Sequence, residues 1–76
     1  MPRFYMNVRD GNMFIKDKHG AIFADVETVR QEALILARDV LHDIFMYNGG
    51  QIKIQYEITD ESGRLVAMIP FRDALD

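Results

Sequence analysis

Few residues in this chain are of the types that do chemistry, and their spacing limits what they can do. His19 and His42 are the only imidazoles. His42 falls within a predicted helix beside Asp39 and Asp43, and His19 falls in a turn. Neither an HxH nor an HxxxH pair is available to share an ion, so no metal is expected. Asp10-Gly11-Asn12 and Asp60-Glu61-Ser62-Gly63 place carboxylates in turns, but neither follows the ligand spacing of an EF-hand loop. Turns call for Asp and Gly on conformational grounds alone. Nucleophilic catalysis would need Ser62, Thr28 or Thr59 beside a base, and no Gly-x-Ser-x-Gly elbow is present. Gly49-Gly50 follows a helix rather than preceding one, the wrong order for a phosphate cradle. Cysteine is absent, which removes thiolate nucleophiles, disulfides and Cys-ligated zinc. The expectation is a non-enzymatic protein with no catalytic residue and no cofactor.

Two surfaces remain as binding candidates. Residues 1–20 contain Arg3, Arg9, Lys16 and Lys18 against Asp10 and Asp17, a local excess of basic charge within a chain of net charge -3. Interleaved with Tyr5, these four cations could form a modest aromatic and basic surface for single-stranded nucleic acid. Four cations make a small footprint, and a solvated sheet face is the simpler reading. The second surface lies on the predicted helix. At 100° per residue, Ile35 and Met46 point directly away from the core-facing side, and Leu34 and Phe45 lie on its border. Together they widen the apolar arc beyond what one sheet face needs, which marks them as a protein-contact edge. The competing reading is that the tail, Phe71 to Leu75, folds over part of this surface.

These residues must be positioned by one small domain, residues 1–76. Composition is ordinary for a globular chain, with 49% hydrophobic and 28% charged residues. No apolar run approaches the roughly 20 residues that would span a bilayer. No leader segment is expected, and the chain is expected to be cytoplasmic. A domain of this size buries a small core, so a partner subunit would add stability.

Phe4 to Arg9 alternates Phe4, Met6 and Val8 inward against Tyr5, Asn7 and Arg9 outward, which predicts a half-buried strand. Asp10-Gly11-Asn12 turns into a short strand over Met13 to Ile15, and Asp17 to Gly20 forms a second turn. Ala21-Ile22-Phe23 either extends the sheet or leads into the helix. Asp25 is a good N-cap, and Val29, Ala33, Leu36, Ala37, Val40, Leu41 and Ile44 share one broad helical face. Asn48-Gly49-Gly50 stops that helix. Gln51 to Ile58 then alternates, with Ile52, Ile54, Tyr56 and Ile58 inward. A hairpin loop over Asp60 to Gly63 leads to a last strand, Leu65 to Ile69, ended by Pro70. The expected fold is α+β, a two-layer ββαββ arrangement with a small antiparallel sheet and one long helix packed across one face.

With those elements in place, the pattern resembles a family of short alphaproteobacterial proteins, rhizobial ones especially, that carry a domain of unknown function. The likeness rests on Met1-Pro2-Arg3-Phe4-Tyr5, Arg9-Asp10-Gly11, Asp17-x-x-Gly20 and Glu32-Ala33. It continues through Thr59-Asp60-Glu61-Ser62-Gly63-Arg64 and Ile69-Pro70-Phe71, and so covers nearly the whole chain. The resemblance implies a free-standing bacterial protein and brings no catalytic or binding residues. Turns account for its glycines. A turn alone does not demand arginine, which singles out Arg9 and its neighbour Asp10. Glu32-Ala33 and Ala37 to Leu41 also look similar to the helix of HicB-type antitoxin domains, on fold analogy alone and without their DNA-binding segment. The leading expectation is a protein-interaction or regulatory accessory domain that self-associates or binds a protein partner, with no membrane contact. The alternatives are a weak nucleic-acid binder or an antitoxin-like regulator.

Overall fold

Backbone donors and acceptors must be paired wherever they are buried, and this chain pairs them in one antiparallel sheet. The computed structural model describes residues 1–48 and 53–75, with side-chain surroundings for all of these except 43–48 and 75. Strand β1 (Arg3–Asp10) turns into β2 (Met13–Ile15), and β3 (Ala21–Ile22) returns to the start of β1. Helix α1 (Val26–Asn48) follows, then the hairpin β4 (Ile54–Thr59) and β5 (Leu65–Pro70), and finally a 3-10 helix, Phe71–Leu75. The sheet order is β2-β1-β4-β5, with β3 pairing to β1 beyond the end of β2. This is the α+β sheet-and-helix architecture that the sequence predicts, enlarged by β3 and by the 3-10 helix.

The turns are built by the residues that led to them. Gly11 has φ of 60° and Asn12 a negative φ, so glycine supplies the one left-handed position of the tight β1–β2 turn. Asp25 caps α1, its Oδ1 accepting from the Thr28 N–H at 2.8 Å. The Asn48-Gly49-Gly50 stop and Ile52 lie wholly or partly outside the described residues.

The core is one cluster in which Val29, Ala33, Ala37 and Leu41 of α1 meet Phe4, Tyr56, Ile58, Ile69, Phe71 and Ala74. The two alanines let the helix backbone sit close to the sheet. Two expectations fail. Val40 shares the core face by helical angle but is 39% exposed, whereas Leu34 packs partly buried against the core. Leu34 gains cover from the 3-10 helix, which docks on α1 where Arg38 Nε donates to the Ala74 carbonyl at 3.2 Å. Val29 and Leu36 share Val40's flank and are buried and partly buried, so Val40 is open because of its place along α1 and not its helical angle. Asn7 was expected in water and is instead 3% exposed, because residues 16–20 fold over it. Pro70 closes β5 from within the ladder, paired with Gln55, a position open to proline on an edge strand.

Candidate functional site

The face of the sheet turned away from α1 collects most of the polar side chains that sequence singles out. Alternation along β1 presents Tyr5, Asn7 and Arg9 there, and antiparallel register sets them opposite Thr59, Glu57 and Gln55 of β4. A cleft of about 490 Å³ opens over Tyr5, Asn7 and Thr59. Phe14, Lys16, Asp17 and Lys18 line it from one side of β1, and Asp60, Glu61 and Gly63 line it from the β4–β5 loop.

Two aspartates hold the loops around this cleft. Asp17 Oδ1 accepts from the His19 and Gly20 N–H groups at 3.2 and 3.1 Å, and its Oδ2 accepts from Met6 N–H at 3.0 Å. It thereby satisfies a donor of β1 that lies beyond the reach of β2. Asn7 completes the link, accepting from Asp17 N–H at 2.9 Å and donating to the Glu57 carbonyl at 2.9 Å. Burial pushes the Asp17 carboxyl up, but the N–H donors of Gly20, Met6 and His19 outweigh it and hold the group below its ordinary value. Asp60 does the same work in the β4–β5 loop, with its Oδ1 accepting from Ser62 N–H, the Ser62 hydroxyl and Arg64 N–H. The Ser62 hydroxyl, followed by the Arg64 and Ser62 amides, lowers the Asp60 carboxyl.

The five residues expected to contact nucleic acid separate into two groups. Tyr5, Lys16 and Lys18 line the cleft. Arg3 is taken up by the loop, donating from NH1 to the His19 carbonyl at 2.8 Å while its backbone N–H donates to Glu61. Arg9 forms an ion pair with Glu57 at 2.6 Å, and its guanidinium lies 4.7 Å from the Phe14 ring centre. The hydrogen bond to Glu57 raises Arg9, and the same bond, with one from Gln55, lowers Glu57. Arg9, which no turn requires, therefore ties β1 to β4 and to β2. The groups weighed as nucleophiles are engaged too: the hydroxyls of Ser62 and Thr28 donate to Asp60 and Asp25, and Thr59 Oγ1 accepts from Asn7. Among the described residues no cluster of three or more His, Asp or Glu is placed to hold a metal ion.

On the helix, Ile35 is 55% exposed and Leu34 is packed partly buried against the core; the side chains of Phe45 and Met46 lie outside the described residues. Among the described residues, the longest consecutive run of exposed apolar side chains lies elsewhere. Met13, Phe14 and Ile15 are 62%, 45% and 55% exposed, three in a row on β2, a strand at the end of the sheet. Sequence reasoning identified that strand but not its exposure. The one available signal was a run of apolar residues too short to bring a second covering element with it.

Among the described residues no helix is long and apolar enough to cross a membrane. Neither a curated protein nor a solved structure matches the chain. The motifs that carried the family resemblance have structural work here: Asp17 and Gly20 close one loop, Asp60 and Gly63 the other, and Ile69 and Phe71 are core residues. The model of a family described as a domain of unknown function, DUF6894, matches residues 3–72, and the chain belongs to that family.

Proposed function

We propose that this domain is a non-enzymatic interaction module that works through protein contacts made at the β2 end of its sheet. The observation that carries this reading is the exposed run Met13-Phe14-Ile15 on an edge strand. Edge strands offer unpaired N–H and C=O groups, and folded proteins commonly blunt them with charge, proline or cover. β2 has no charged residue and no proline, and only its length of three residues limits it as a template. A strand with a free backbone edge and apolar side chains suits pairing with another chain. On the helix, Ile35 is exposed but its neighbour Leu34 packs inward.

Tagged protein used to capture partners from lysate of the source organism, with and without nuclease, tests this reading. The expected result is a nuclease-resistant protein partner, retained by the wild type and by Ile35→Glu but lost with Met13→Lys. Retention unaffected by Met13→Lys and abolished by Ile35→Glu would return the contact to the helix.

The cleft motivates a second reading, a weak binder of single-stranded nucleic acid, because Tyr5, Lys16 and Lys18 meet there. Asp17, Asp60 and Glu61 line the same cleft, and Arg3 and Arg9 are committed within the fold, so this reading has two cations fewer than the sequence offers. It predicts nuclease-sensitive capture that falls steeply with salt.

A further inference from the structure

We propose that β2 pairs antiparallel with β2 of a second copy of this chain, about a two-fold axis at Phe14. The proposal rests on the reading above and names its partner. The hydrogen-bonding phase of the strands decides which groups of β2 are free. Met6 sends its N–H toward the side of β1 occupied by Asp17, β2 and β3. Groups on a strand alternate in direction, so Val8 and Asp10 send theirs to that side as well, where they pair with Ile15 and Met13. Phe14, opposite Arg9, therefore turns its N–H and C=O outward. Among the described residues nothing pairs with that outer edge.

A two-fold axis at Phe14 makes the strand its own complement. The two Phe14 residues exchange both backbone bonds. Met13 of each copy then lies opposite Ile15 of the other, on the α1 side of the sheet, and the two Phe14 rings lie opposite each other on the cleft side. Every exposed apolar side chain of β2 meets an apolar neighbour. Charge selects the same direction. Antiparallel pairing sets Lys16, the residue after β2, beside Asn12 of the second copy, next to the turn that begins at Asp10. In-register parallel pairing would set Lys16 beside Lys16. Three residues per copy bury little area, so the contact belongs with small reversible interfaces and depends on concentration.

The register prescribes its own test. Met13→Lys and Ile15→Glu each place a charge against an apolar side chain in their homodimers. A mixture of the two brings the new cation and anion face to face at one position and restores Met13 against Ile15 at the other. Sedimentation equilibrium from micromolar to millimolar protein, with amide spectra confirming that each variant is folded, should show the wild type and Ile35→Glu rising toward twice the monomer mass. Each single variant should remain monomeric, and the equimolar mixture should recover dimer. A monomeric wild type throughout the range overturns the proposal. So does a mass that climbs past the dimer, or a folded mixture that fails to associate. Self-pairing alone fails if the wild type stays monomeric while Met13→Lys still loses a captured protein partner, whereas loss of neither contact removes the β2 reading as a whole.

Discussion

The two edge strands of the sheet, β2 with three residues and β5 with six, reach opposite outcomes on the α1 side. At the β5 end, α1 and the 3-10 helix close over Ile69, and Phe71 of that 3-10 helix packs on Tyr56 with ring centres 4.7 Å apart. At the β2 end, Met13 and Ile15 project on the same side of the sheet as α1 and remain more than half exposed. The reason is width. Four strands about 4.8 Å apart make a face wider than one helix of about 10 Å can cover. The chain spends its second covering element, the 3-10 helix, at the β5 end and on the Leu34 flank of α1. β2 is left exposed. An uncovered strip in a small domain is where a partner adds most burial.

The contrast predicts that substitutions of similar chemistry differ sharply between the ends. Phe71→Ala removes a ring buried to 2% exposure and should cost about 3–5 kcal/mol, enough to unfold much of the population. Ile15→Ala at the open end should cost under about 1 kcal/mol when the protein is dilute. Urea titrations of the two variants check this, and equal midpoints would mean that the β2 end is as closed as the other.

The two loops beside the cleft offer a second contrast. Gly20 and Gly63 both have positive φ, but a Cβ on Gly20 would lie 2.7 Å from the Phe4 carbonyl oxygen and 2.9 Å from the Tyr5 ring. A Cβ on Gly63 meets nothing within 4 Å. Gly63→Ala should therefore cost about 1–2 kcal/mol from backbone conformation alone, and Gly20→Ala measurably more. Thermal melts of the pair would show it.

The smallest effect expected is in acid. The Asp17 carboxyl titrates lower in the fold than in the unfolded chain, so its ionised form stabilises the native state above the ordinary carboxylate pKa of about 4. That contribution is lost as pH falls through the folded value. Asp17→Asn should lower stability near neutrality and flatten the acid limb of stability against pH. An unchanged acid limb would show that the three N–H bonds do not favour the charged form.

The comparison also shows what the residues make legible. Alternation from Ile54 to Ile58, the Asp25 cap and the Asp17-x-x-Gly20 turn are local patterns, and each forms as its pattern predicts. Asn7 is different. Its place in β1 reads as a solvent position, and only the return of residues 16–20 across the strand buries it. The same holds for Val40, whose helical angle is close to that of buried Val29 and whose exposure comes from its place along α1. Burial that depends on a distant segment leaves no mark on the residue itself. The exposure of Ile35 was legible because helical angle is local; that of Met13 to Ile15 was not, because it is a matter of how far α1 reaches.

Amide hydrogen exchange, followed residue by residue at low and high protein concentration, tests the open-end account most directly. The amide of Phe14 should exchange freely in dilute protein and gain protection as concentration rises, while that of Ile69 stays protected throughout. A Phe14 amide protected when dilute, or unprotected at every concentration, would contradict it.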